Sequence, residues 1–161
     1  METTDKELVK AHISGENEAF EKLVRRHGRV LLGFLTRMCN DQKQAEDIFQ
    51  ETFRKVHEKA HTFKGENFRG WFYTIATRTV YSDARKRKFK FVSLNRRIDD
   101  NYERSELTEV LMTDDCDNPH DRAERAELKQ QVRDALGRLP GRQRAAVVLS
   151  YYEQMPHKQI A

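Results

Sequence analysis

Aromatic and basic side chains are interleaved between residues 61 and 91, where Phe63, Phe68, Trp71, Phe72, Tyr73, Tyr81, Phe89 and Phe91 make up eight of the fifteen aromatics of the chain. Cations neutralise phosphates, and aromatic rings offer faces on which unpaired bases stack for about 1–3 kcal/mol each. The combination fits single-stranded nucleic acid better than duplex. Some of the rings must be core: Phe68, Trp71, Phe72, Ile75, Thr79 and Val80 share one helical stripe. The opposite face carries Thr74, Thr77, Arg78, Tyr81 and Arg85, and it continues into the run Arg85-Lys86-Arg87-Lys88. A second pattern is polar: Asp47, Gln50, Glu51 and Arg54 recur at three- and four-residue spacing and so share one face of a helix. Carboxylates beside a basic helix repel phosphate, so this stripe reads as a docking face for a protein partner bearing arginines. An ordinary solvated face is its structural alternative. A third pattern, His57-Glu58-Lys59-Ala60-His61, has the H-E-x-x-H zinc-protease spacing. It sits at a predicted helix end beside a glycine loop, with no third ligand and no edge strand to hold a peptide, and is read as coincidence. No Walker loop, G-x-G-x-x-G or G-x-S-x-G signature is present.

The elements that must position these residues are helical. The chain has 161 residues, 35% of them charged and 37% hydrophobic, with three prolines and seven glycines. That suits one ordinary domain or two small ones and argues against a β-sandwich. No apolar run approaches a membrane span, and the N-terminus METTDKELVK lacks a secretory h-region, so a cytoplasmic protein without membrane insertion is expected. Cys39 and Cys116 lack metal-ligand spacing and read as reduced thiols. Apolar periodicity predicts a short helix Asp5 to Ile13, then a long one whose stripe is Phe20, Leu23, Val24, His27, Val30, Leu31, Phe34, Leu35 and Met38. Asn40-Asp41 stops it, and Asp41 with Gln44 three residues on forms a capping box for a third helix burying Ala45, Ile48, Phe49, Thr52, Phe53, Val56 and Ala60. The loop 61–67 leads to a fourth helix from about Phe68 to Lys88. From about 89 to 118 the apolar pattern lapses. Asn118-Pro119 reopens helix to about Leu136, another runs from about Arg142 to Tyr152 on Ala145, Val148, Leu149 and Tyr152, and Met155-Pro156 starts one more.

The net charge of +4 conceals a division. Residues 64–97 hold 10 basic and 2 acidic side chains, whereas residues 98–127 hold 3 basic and 11 acidic. A basic block beside an acidic one points to a nucleic-acid surface followed by a segment that repels or imitates nucleic acid.

With these residues in place, the chain resembles the extracytoplasmic-function (ECF) group of the sigma-70 family of RNA polymerase sigma factors. The likeness rests on EAFEKLVRRHGRVLLGFLTRM (18–38), QAEDIFQETFRKV (44–56), TFKGENFRGWFYTIATRTVYSDARKRK (62–88) and LPGRQRAAVVLSYYEQMPHKQIA (139–161). It implies an all-α fold: a four-helix region 2 domain (1–90), an acidic flexible linker (91–118), and a C-terminal region 4 helix-turn-helix domain (119–161). The last of these stops at Ala161 before a recognition helix, so a truncated domain that does not read the minus-35 element is expected. By resemblance, Asp47, Gln50 and Glu51, with Arg54 beside them, match the helix that docks on the β′ clamp helices of core polymerase, with β as a further contact. Phe63, Lys64, Asn67 and Phe68 match the loop that captures an extruded minus-10 base. Arg69, Trp71, Tyr73, Thr74, Thr77, Arg78, Tyr81, Asp83, Arg85, Lys86 and Arg87 fall on the helix that meets the opened non-template strand. Arg78 follows YTIAT where the family often has asparagine, so the likeness does not fix the base preference. The implied function is to bind core polymerase, then recognise and melt the minus-10 promoter element, without catalysis, metal or cofactor and under control of an anti-sigma factor. A basic single-strand-binding module unrelated to polymerase is the alternative, and a zinc hydrolase through His57, Glu58 and His61 is a remote one.

Overall fold

The computed structural model describes residues 3–65, 67–93 and 119–160. Among the described residues seven α-helices follow in order: α1 (Asp5–Ile13), α2 (Asn17–Cys39), α3 (Gln42–Lys59), α4 (Phe68–Ser93), α5 (Pro119–Arg138), α6 (Gly141–Tyr151) and α7 (His157–Ile160), with a 3-10 turn (Ala60–Thr62) after α3. Among the described residues there is no strand, and no helix is long and apolar enough to cross a membrane. The fold is all-α, as the periodicity requires. The 91–118 linker expectation falls almost wholly outside the described residues, although α4 itself continues beyond Lys88 to Ser93.

Local chemistry sets the helix ends. Thr4 and Glu7 form a reciprocal capping box at the start of α1, the Glu7 carboxylate accepting from Thr4 N at 2.7 Å and Glu7 N donating to Thr4 Oγ1 at 3.3 Å. Asn40 ends α2 in the left-handed region at φ 54°, which asparagine tolerates. Asp41 caps α3, its Oδ1 accepting from Gln44 N at 2.8 Å. The predicted reciprocal half of that box is absent: Gln44 Nε2 instead donates to Asp83 Oδ2 on α4 at 2.8 Å. Asn67 caps α4 through Oδ1, which accepts from Gly70 N at 2.9 Å. A side chain at Gly70 would collide with this cap, because a Cβ there would lie 2.5 Å from Asn67 Nδ2.

The long helix α2 is the centre of the packing, meeting α1, α3, α4, α5 and α6. Leu23, Leu31, Phe34, Leu35 and Met38 are buried as the stripe predicts, and Leu32, off the stripe, is buried as well. Val30, assigned to that stripe, lies 44% exposed. A helix surrounded by five others buries more than one stripe, which a single-face periodicity does not capture. Phe34 is fully enclosed and meets Tyr73 edge-on at 5.2 Å between ring centroids. The N-terminal helix is tied to α2 by charge: Asp5 Oδ1 lies 2.7 Å from Arg26 Nη1, and Asp5 Oδ2 lies 3.0 Å from His27 Nε2. Partial burial alone would raise the Asp5 carboxyl, but the contacts to His27 and Arg26 outweigh it and hold it below its ordinary value.

Truncating Phe34→Ala is expected to cost about 3–5 kcal/mol, the usual range for emptying an enclosed aromatic site. Urea unfolding followed by circular dichroism measures it; a cost under about 1 kcal/mol would contradict the enclosed position of the ring.

Candidate nucleic-acid interface

Two chemically distinct faces flank the groove between α3 and α4. On α3, Asp47, Gln50 and Arg54 are exposed and Glu51 is half-buried, so the four residues singled out by spacing do share one outer face. The arginine is committed within that face. Its guanidinium grips Glu51 bidentately, Nε to Oε2 at 2.8 Å and Nη2 to Oε1 at 2.7 Å, and a second Nη contacts Glu58. Lys55 adds a contact to Glu51 at 3.4 Å and donates to Thr79 Oγ1 on α4 at 3.3 Å. The Arg54 fork, reinforced by Lys55, holds the Glu51 carboxyl down to about 2 from its ordinary 4.5. It is therefore ionised across the neutral range. The stability this pair contributes is present above pH 4.5 and is lost as pH falls toward 2.

The base-stacking candidates sort by depth. Phe63, Phe68, Trp71 and Phe72 form one aromatic cluster with centroid separations of 5.4–5.8 Å, and His27 stands 5.0 Å from Phe68 beneath it. Phe68 and Phe72 are buried, whereas Phe63 and Trp71 keep partly exposed rims at the mouth of the 63–67 loop. Lys64 and Asn67 are exposed on that loop, with the Asn67 carbonyl used in the α4 cap. Thr74, Arg78, Arg85, Lys86 and Arg87 are exposed along α4, Thr77 is half-exposed, and Thr74 Oγ1 donates back to Gly70 O at 2.7 Å. Arg87 is anchored by Asp83, Nε to Oδ2 at 2.9 Å.

Tyr73 and Arg69, expected to face a strand, are engaged elsewhere. Tyr73 is 4% exposed, and its hydroxyl donates to Glu153 Oε2 at 2.7 Å. Burial first, and the neighbouring Glu153 carboxylate second, push its phenol well above the usual value. Arg69 Nη2 donates to Glu153 O at 2.7 Å and lies 3.8 Å from Glu153 Oε2. Tyr81 packs against the start of α6, where a Cβ on Gly141 would approach its Cε1 to 3.1 Å. Glu153, which sequence reasoning passed over, follows α6 and is 5% exposed, a charge that a fold can bury only with partners. Its one legible signal was an acidic residue between two tyrosines and Met155-Pro156, where a turn was expected.

His57 and Glu58 of the H-E-x-x-H pattern are engaged otherwise. The exposed His57 ring lies 4.8 Å from that of His12 and 5.3 Å from Phe20, and Glu58 pairs with Arg54. Among the described residues no group of three or more potential ligands converges on a metal-sized site. Cys39 is half-buried, and burial pushes its thiol up to about 12, so it is an inert thiol; Cys116 lies outside the described residues.

Residues 23–90 match the family model described as Sigma-70 region 2, and residues 129–161 match Sigma-70, region 4. Over 98% of the chain, it is 29% identical to RNA polymerase sigma-H factor of Pseudomonas aeruginosa, covering 80% of that protein. It is 30% identical to ECF RNA polymerase sigma-E factor of Haemophilus influenzae, with 98% of the chain and 82% of the relative aligned. ECF RNA polymerase sigma factor SigW of Bacillus subtilis is 25% identical over 96% of the chain and 82% of its own length.

Replacing Arg54→Ala removes the larger part of the clamp on Glu51, and its carboxyl is expected to return toward 4.5. A carbon-13 NMR titration of that side chain reads the change directly. A midpoint still near 2 would mean that Arg54 is not what holds it.

Proposed function

The chain belongs to the ECF group of the sigma-70 family of RNA polymerase sigma factors, and on that premise we propose that it gives core polymerase its promoter choice through two faces of one helical bundle. The outer face of α3, with Asp47, Gln50, Glu51 and Arg54, docks on the β′ clamp helices, with β as a second contact. The 63–67 loop and the exposed residues of α4 take the non-template strand of the minus-10 element as it opens. An anti-sigma factor that covers these surfaces is the regulatory partner in this reading.

The observation that carries the reading is the segregation of charge on adjoining helices. Glu51 stays ionised on α3, while Arg78, Arg85, Lys86 and Arg87 stand exposed on α4. A phosphate backbone is attracted to the second face and repelled by the first, so protein and strand are sorted to different sides. Phe63 and Trp71 supply partly exposed rings where a displaced base would otherwise lose its stacking. Extruding a base costs a few kcal/mol, and stacking plus phosphate neutralisation is what offsets it. Nothing in this scheme requires bond-making by the protein. It acts by differential binding of the melted over the closed promoter, with no reaction, metal or cofactor of its own.

Reversing charge with Asp47→Lys and Glu51→Lys together is expected to abolish co-purification with core polymerase while non-specific DNA binding survives. Retained core association would sink the docking assignment and favour a free-standing single-strand-binding module. Changing Arg85, Lys86 and Arg87 to alanine should weaken single-strand binding. It should also lower the slope of log affinity against log salt by about two units, at about 0.7 per phosphate contact. An unchanged slope would refute those three contacts.

A further inference from the structure

Arg69 and Tyr73 of α4 are engaged by the turn after α6, which brings the chain's own C-terminal helices beside them. Three contacts hold them there. Glu153, 5% exposed, receives the Tyr73 hydroxyl at 2.7 Å on its carboxylate and the Arg69 guanidinium at 2.7 Å on its backbone carbonyl. Arg144 of α6 donates through Nη1 to Met38 O at 2.6 Å, among the last carbonyls of α2 where the helix dipole favours a cation. Arg37 lies over the Tyr152 ring at 4.0 Å.

The chemistry at the first contact is that of an anion site. On one face of α4 a phenol donates to the buried Glu153 carboxylate, and a guanidinium lies 3.8 Å from that carboxylate while donating to the backbone carbonyl of the same residue. We propose that Glu153 is an internal stand-in for an anionic group of the nucleic-acid strand. The Tyr73–Arg69 pair is then a phosphate-binding site that the free chain keeps shut with its own carboxylate. This rests on the reading of α4 as the nucleic-acid helix. A buried charge is tolerated only while paired, so the closed arrangement persists only while Tyr73 and Arg69 meet Glu153. A phosphate brings an equivalent charge and further acceptor oxygens, and in the open arrangement it meets the same two donors. The strand and the C-terminal helices therefore compete for one site, and each displaces the other.

The test uses the whole chain, free of polymerase, with a fluorescein-labelled single-stranded deoxyoligonucleotide and small-angle X-ray scattering. Glu153→Ala leaves the Tyr73 hydroxyl without its acceptor in the closed arrangement. It is expected to increase the radius of gyration and to tighten oligonucleotide binding about five- to tenfold. Glu127→Ala removes the same charge from an exposed position on α5 and should behave as the parent chain does. Adding Tyr73→Phe to Glu153→Ala keeps the ring but removes the donor, and should cancel most of the gain. Arg144→Met opens the second contact independently and should tighten binding in the same direction. Expansion without tighter binding would overturn the competition. Equal tightening by Glu127→Ala would reduce it to net charge and overturn it too. A double variant that binds as tightly as Glu153→Ala would overturn the role of Tyr73. Compactness and affinity both unchanged in Glu153→Ala would overturn the latch itself. None of these outcomes touches docking to core polymerase, which depends on Asp47 and Glu51 and is measured separately.

Discussion

Burial of α2 is the constraint on which the remaining structure depends. A helix of 23 residues that meets five others cannot be left with one apolar stripe, and its enclosed side chains, Leu23, Leu31, Leu32, Phe34, Leu35 and Met38, run along most of its length. Each such side chain contributes about 1.5–3 kcal/mol on burial, so together they outweigh any single polar contact in the molecule. Because α3 and α4 both lean on this helix, their outward faces are fixed relative to each other before any partner arrives. The acidic face of α3 and the basic face of α4 are consequences of how one helix is covered.

Polar groups then decide which surfaces remain open. Glu51 and Arg54 lock each other on the α3 face, so that its charge pattern is held in place by short hydrogen bonds instead of by flexible side chains sampling solvent. Glu153 does the reverse: it carries a charge into the interior, and Tyr73 and Arg69 must meet it there. Exposed ion pairs of the first kind add little stability, whereas removing one partner from a buried one costs several kcal/mol. The α3 face is accordingly robust to substitution, and the seam between α4 and the C-terminal helices is sensitive to it.

Much of this was legible in the residues. The ends of α1 and α2, the Asp41 cap and the shared face of Asp47, Gln50, Glu51 and Arg54 follow from local signals that act over three or four positions. What escaped was non-local. Gln44 looked like the second half of a capping box because Asp83, its actual partner, is 39 residues away. Tyr73 lay outside the apolar stripe read from the fourth helix and was placed at the strand by resemblance alone, and it is covered by a residue 80 positions further on. Val30 satisfied the spacing of the buried stripe yet lies at the surface, since spacing reports a direction around the helix and not whether a neighbour is present there. Family resemblance assigned roles to α4, but it carried no information on which of its side chains the chain itself would cover.

The bridge between Gln44 and Asp83 has a mechanical implication. Asp83 Oδ2 receives Gln44 from the first turn of α3 and Arg87 from the next turn of its own helix, while Lys55 reaches Thr79 one turn earlier. These struts, at two heights along the α3–α4 seam, resist both sliding and scissoring of the pair. A load applied to α3 is therefore transmitted to α4 as a rigid rotation and is not absorbed by slippage between them. The two helices thus turn as one body, and a change in the tilt of either is a change in the tilt of both.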